Sequence, residues 1–209
     1  PMYTPKHFEE NDPQILYELM CGFSFALLVT AQNGTPVGTH LPLHAEATGA
    51  FGLLLGHVAR ANDHWRQFDG ETEAMAVFQG PHSYISPNWY ESDDLVPTWN
   101  YSTIHAYGRP QAITDPSETA DILWRLVEAN ETDATDNWSM SRLSADDMEK
   151  QLKGIVAFRM PIDRLEGKFK MGQNRAPEDV LAAVKGLRAA GNTDAEMVAA
   201  EMEARAQKG

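Results

Sequence analysis

The stretch Ser24-Phe25-Ala26-Leu27-Leu28-Val29-Thr30-Ala31-Gln32-Asn33-Gly34-Thr35-Pro36-Val37-Gly38-Thr39-His40-Leu41-Pro42-Leu43 holds two apolar runs on either side of Asn33-Gly34. Asn-Gly supplies the two positive-φ positions of a tight turn whose twist matches a strand pair, so this segment predicts a β-hairpin. Its first arm, Ser24 to Ala31, is apolar enough to be buried. Its second arm runs from Pro36 to Leu43. Upstream, Asn11-Asp12-Pro13 opens a helix with a polar cap and an early proline, Ile15, Leu16, Leu19 and Met20 follow at helical spacing, and Gly22 closes it.

Downstream, Phe51 to Val58 reads as a third strand. Asn62-Asp63 caps a short helix through Trp65 and Phe68. Glu73 to Gln79 is a fourth strand, broken by Gly80-Pro81, with His82 to Ser86 as a short continuation. Pro87 to Val96 is a loop with an acidic tip, and Thr98 to Ile113 is one long strand or two. Asp115-Pro116-Ser117 caps a helix to about Glu131, a polar loop extends to Ser141, and Ser144 to Lys153 is another helix. The last strands are Ile155 to Met160 and Asp163 to Lys170. An Ala-rich helical segment begins at Pro177 and is interrupted at Gly191-Asn192. Six or seven short strands with helices inserted between some and gathered at the end predict an α+β or β-barrel domain, not alternating βαβ units. The expected division is a domain over residues 1–190 and a helical extension over 191–209, which packs on the body or reaches a partner.

The chain has 209 residues, 43% hydrophobic, enough for one domain with its own core. Its net charge is −13, with 17 basic against 30 acidic residues. Such a surface repels a phosphate backbone, so direct nucleic-acid binding is not expected. The single cysteine, Cys21, cannot form an intrachain disulfide and reads as a small buried hydrophobe. No basic leader followed by an apolar run stands in the sequence, and no segment approaches the ~18 apolar residues needed to span a bilayer, so a cytoplasmic location is expected.

No P-loop, GxGxxG, HExxH, cysteine pair or EF-hand occurs, so the chemistry must come from polar residues scattered on strands. His40 and His44 are four apart and share a face if one strand carries both. They fit hydrogen-bonded pocket histidines or, as the alternative, a haem or metal site. In Gly56-His57-Val58-Ala59-Arg60-Ala61-Asn62-Asp63-His64-Trp65 an arginine lies between a strand end and a capped helix start, where an anion such as phosphate fits; a surface ion pair is the other reading of Arg60. The aromatics of Val77 to Tyr90 and Val96 to Tyr101 suit a planar ligand or a dimer interface. In Leu165-Glu166-Gly167-Lys168-Phe169-Lys170-Met171-Gly172-Gln173-Asn174-Arg175, Lys168 and Lys170 fall on one strand face with Arg175 soon after: a local anion site, or a salt bridge to the acidic surface.

Together, Met2 to Phe8, Thr39-His40-Leu41-Pro42-Leu43, Gly56 to Asn62, Phe78 to Pro87, Pro97-Thr98-Trp99-Asn100-Tyr101 and Leu165 to Arg175 resemble, in family order, the PaiB family of FMN-binding negative transcriptional regulators. The resemblance extends to about Arg188. It implies an α+β fold, an FMN-binding split β-barrel with peripheral helices and a helical C-terminal tail, of the kind found in pyridoxamine-phosphate-oxidase-type flavoproteins. It also implies a homodimer with flavin at the interface. Carried over by position, Thr39 and His40 line the flavin, Arg60 and Asn62 hold its phosphate, Gln79 sits near the ring or ribityl chain, and Trp99 and Asn100 come from the partner subunit. Lys168 and Lys170 belong to the family block without an assigned contact.

Three functions are compatible with these residues. A regulator or repressor would act through flavin binding, since no helix-turn-helix is recognisable in this acidic chain. An FMN-dependent oxidoreductase would use His40, His82 or Tyr101 as proton donor beside the cofactor. A haem-binding or haem-degrading split barrel would use a histidine as axial ligand.

Overall fold

The computed structural model describes residues 1–207. Among the described residues, nine strands and five α-helices follow one another. They are β1 (Glu9–Glu10), α1 (Pro13–Gly22), β2 (Phe25–Gln32), β3 (Thr35–Pro42), β4 (His44–Glu46), β5 (Leu53–Ala59), β6 (Ala74–Ile85), β7 (Thr98–Gly108), β8 (Gln111–Ala112), α2 (Pro116–Glu128), α3 (Ala145–Lys153), β9 (Ile155–Lys170), α4 (Pro177–Ala190) and α5 (Thr193–Ala206). Strands pair in the order β3-β2-β6-β7-β9-β5-β4, with β1 and β8 also on β9. The fold class is the α+β split β-barrel with helices at its periphery and at its C-terminal end. Among the described residues no helix is long and apolar enough to cross a membrane.

The hairpin forms as Asn33-Gly34 dictates. Both residues have positive φ, 53° and 79°, and β2 and β3 pair antiparallel from Phe25↔Pro42 to Gln32↔Thr35. Two proposed breaks do not occur. Gly80-Pro81 lies inside β6, a single strand to Ile85, and β9 runs unbroken from Ile155 to Lys170 through Pro161. A proline removes one donor but keeps an extended φ, so it passes through a strand wherever that N–H has no ladder partner. The segment after α2 contains two short 3-10 turns, Asp133–Thr135 and Met140–Arg142. Cys21 is exposed, not buried. Leu16, Leu19 and Met20 fill the buried face of α1, and the next residue is turned about 100° away from Met20.

Two compact units make up the chain. One comprises residues 17–78 and 105–165; the other comprises residues 1–16, 79–104 and the chain from 166 onward. In the first, Leu55 and Ala157 of paired β5 and β9 pack with Ile113 and with Ile122 and Leu126 of α2. Asp115 caps α2 by accepting from the Glu118 N–H, and Ser144 caps α3 by accepting from the Asp147 N–H at 3.2 Å. In the second, Ile85 and Met171 meet Val184 and Leu187 of α4 and Val198 and Met202 of α5. Pro177 starts α4, Gly191 ends it at φ 68°, and Asn192 caps α5.

Candidate functional site

Each unit carries one set of the residues singled out in the sequence. In the first unit, the turn after β5 leads into a 3-10 helix, Asp63–Gln67, whose cap is Asn62. Asn62 Oδ1 accepts from the His64 N–H at 3.1 Å, while Asn62 Nδ2 donates to Thr39 Oγ1 at 3.1 Å. Thr39 Oγ1 is 2.8 Å from His64 Nδ1, and Thr30 Oγ1 is 2.8 Å from His64 Nε2. Thr30 Oγ1 donates its one proton to Gln67 Oε1 at 2.6 Å, so it accepts from His64. The imidazole proton therefore sits on Nε2, and Nδ1 accepts from the Thr39 hydroxyl. Donation runs one way on each side of the ring, Asn62 to Thr39 to His64 and His64 to Thr30 to Gln67. A second proton on the ring would oppose the Thr39 bond, and burial pushes the His64 pKa below the ordinary histidine value. His64 is a neutral fixture that holds Thr39 and Asn62 in place. Sequence reasoning passed it over, and no local signal marks it, because its partners lie 25 and 34 residues away.

His40 is exposed on the other face of β3 and stacks on Phe25, with centroids 6.3 Å apart. His44 belongs to β4 and sits 3.8 Å from Glu46. The two histidines stand on separate strands. Arg60 does not turn toward Thr39. Its Nε and Nη2 each donate over 2.8 Å, to the carbonyls of Lys153 and Ile155, and its own N–H bonds the Gly154 carbonyl. It grips the end of α3, where unsatisfied carbonyls favour a cation.

In the second unit, Lys170 Nζ donates to Thr98 Oγ1 and, at 2.7 Å, to the Trp99 carbonyl. Lys168 is buried, donates to the Tyr3 carbonyl at 2.9 Å, and lies 5.5 and 5.4 Å from the rings of Tyr3 and Tyr101. Burial first, then the charges of Arg175 and Lys168, push the Lys170 pKa below the ordinary lysine range. Among the described residues neither lysine has a carboxylate partner. Each ammonium keeps N–H donors unspent, one on Lys170 and two on Lys168. Beside them Trp99 is 53% exposed, with the rings of Tyr84 and His82 centred 6.0 and 6.2 Å from it. Gln79 is exposed on β6. Asn100 faces inward, buried, with Nδ2 3.3 Å from Met202 Sδ.

The family whose description is "Putative FMN-binding domain" matches residues 2–164. The chain belongs to this family. Its PaiB character stands on the Bacillus subtilis (strain 168) protein named protease synthase and sporulation protein PAI 2, 33% identical over 207 residues and 99% of each chain. An uncharacterised protein of Emericella nidulans is 28% identical over 93% of each chain. Two solved structures share the fold. The flavocytochrome Anf3 of Azotobacter vinelandii has a TM-score of 0.62 at 14% identity, over 80% of this chain and 72% of that one. The FAD and heme binding protein of Mycobacterium smegmatis has a TM-score of 0.59 at 16% identity, over 83% and 79%. FMN is the cofactor that membership gives this chain, and the donor set fits it. Lys168 and Lys170 have ammonium donors to offer a phosphate, and Trp99, Tyr84 and His82 offer ring faces to a planar group.

Proposed function

We propose that this chain is a flavin-binding regulatory protein of the PaiB type, in which bound FMN sets the state of a surface that a protein partner reads. Lys168 and Lys170 take the phosphate, and Trp99 with Tyr84 walls the isoalloxazine. Thr39 and Asn62, fixed by His64, belong to the other unit and form a separate set of neutral donors and acceptors there. FMN supplies reversible two-electron chemistry when bound. The protein's part is to orient the flavin and exclude water from its charged end. A homodimer completes the arrangement, with Trp99 and Tyr84 covered by the second copy.

The observation that carries this reading is the pair of carboxylate-free lysines beside exposed rings. In a chain of net charge −13, a buried ammonium with no carboxylate partner among the described residues marks a place where an anion belongs. The same net charge argues for action through a partner protein rather than through DNA. The test is calorimetric titration of the purified protein with FMN and with riboflavin. A charge-assisted hydrogen bond contributes about 1.5–3 kcal/mol, so Lys170→Ala should weaken FMN by roughly 10- to 100-fold. Riboflavin affinity should stay within about twofold, because it has no phosphate to lose. Equal losses for both flavins would remove Lys170 from the phosphate site, and no flavin affinity at all would sink the reading. An oxidoreductase role separates on the same preparation. Rapid reduction of bound FMN by NADH or NADPH, followed by reoxidation by an organic acceptor, would favour it over a regulatory one.

A further inference from the structure

The first unit contains a cavity of about 420 Å³ that the flavin reading leaves unused. Ile113, Ile155, Val156 and Leu152 give it apolar lining, and Trp65 and Arg60 line it too. The volume lies within the ordinary range of small-molecule sites, and mostly apolar walls with a few polar groups are their usual make-up.

The charges at this cavity are unequal. Glu149 is taken by Lys153, with Nζ to Oε1 at 2.6 Å, which leaves Arg60 as the uncompensated charge. Arg60 bonds only backbone carbonyls through Nε and Nη2, so three of its five N–H groups are free. The Trp65 N–H is spent on the Arg60 carbonyl at 3.0 Å, so the indole has no N–H left for a ligand, and the Arg66 guanidinium lies 5.0 Å from its ring centroid.

We propose that this cavity binds an amphipathic organic anion, a planar or branched apolar body carrying a carboxylate or sulfonate that pairs with Arg60. The body covers Ile113, Ile155 and Leu152, and the Trp65 ring flanks it. The site has a built-in connection to the polar network of the same unit. Arg60, Asn62, His64 and Trp65 lie in one turn and its 3-10 helix, so a ligand that moves Arg60 or Trp65 strains the Asn62–Thr39–His64 bonds. An anion seated here would act as an effector of whatever Thr39 and Asn62 contact. Binding in the cavity does not rest on the flavin reading.

The probe is 8-anilinonaphthalene-1-sulfonate, with its uncharged analogue N-phenyl-1-naphthylamine as control, on the full chain. The sulfonate should bind at one molecule per chain with blue-shifted emission. Arg60→Met should weaken it by about 10- to 100-fold and leave the uncharged dye within about twofold. Because Arg60 also holds the end of α3, Ile155→Trp provides a second variant. It fills the cavity from its lining and should abolish binding of both dyes while far-UV circular dichroism is unchanged. FMN should not displace the sulfonate. The proposal is overturned by no sulfonate binding, by equal effects of Arg60→Met on both dyes, or by stoichiometric displacement by FMN. Displacement would make the cavity part of the flavin site and leave the flavin reading intact. Loss of flavin affinity with dye binding retained would do the reverse.

Discussion

His64 shows how one buried residue fixes side chains far from it in the sequence. Its Nε2 proton is fixed by Thr30, which is fixed by Gln67, and its Nδ1 lone pair is fixed by Thr39. Burial lowers its pKa, so the folded state takes a proton less readily than the unfolded one. Above the ordinary histidine pKa of about 6.5 both states are neutral and His64 adds no pH dependence. As pH falls below that value the unfolded chain is protonated first, and stability declines until the lowered folded pKa is reached. His57, half-buried and also shifted downward by desolvation, acts with the same sign. Urea midpoints measured from pH 8 to pH 5 should therefore fall toward acid. His64→Gln should start lower and fall less steeply, by up to ~1.4 kcal/mol per pH unit. An unchanged slope in the variant would mean that folding does not shift the His64 pKa. The shared strand face of Lys168 and Lys170 was legible in the sequence, because strand side chains alternate. The His64 network was not legible, because no periodicity links residues on β2, β3 and a 3-10 turn.

Close approach of backbones settles which glycines in the strands and helices tolerate change. At Gly108, the last residue of β7, an added Cβ would overlap the carbonyl oxygen of Pro161 on β9. That neighbour is backbone and cannot rotate away. Gly22, the last residue of α1, has nothing within 4 Å of a Cβ and no positive φ. Gly108→Ala should cost about 1–3 kcal/mol or more through overpacking, whereas Gly22→Ala should be neutral or stabilising by about 0.4–1 kcal/mol. Denaturant midpoints of the two variants check this, and equal midpoints would contradict the close packing at Gly108. The strand positions followed from apolar runs and from Asn33-Gly34, because a hairpin is a local object. The continuity of β6 through Gly80-Pro81 was hidden, because Gly and Pro break a strand only when their neighbours need what they lack. Cys21 was misplaced for a similar reason: its composition suits burial, but its angle on α1 turns it outward.

At the scale of the whole molecule, homodimer formation is the expectation that most constrains the flavin site. Trp99 is 53% exposed, Tyr84 is 44% exposed, and their rings are 6.0 Å apart. Large aromatic rings left in water in a pair suit an interface, where Trp and Tyr dominate binding energy. The net charge of −13 works against self-association unless that apolar gain exceeds the repulsion, so the dimer should be tighter in higher salt. Light scattering at micromolar concentration should give twice the 23.2 kDa chain mass. A buried interfacial Trp is worth roughly 2–4 kcal/mol, so Trp99→Ser should raise the dimer dissociation constant by about 30- to 1000-fold. If the second copy also covers the flavin, FMN affinity should then depend on protein concentration, falling in parallel with the dimer fraction. A Trp99→Ser protein that stays dimeric but loses FMN would assign Trp99 to the ring wall alone. A wild-type monomer that binds FMN tightly would place the complete site within one chain and remove the need for a partner subunit.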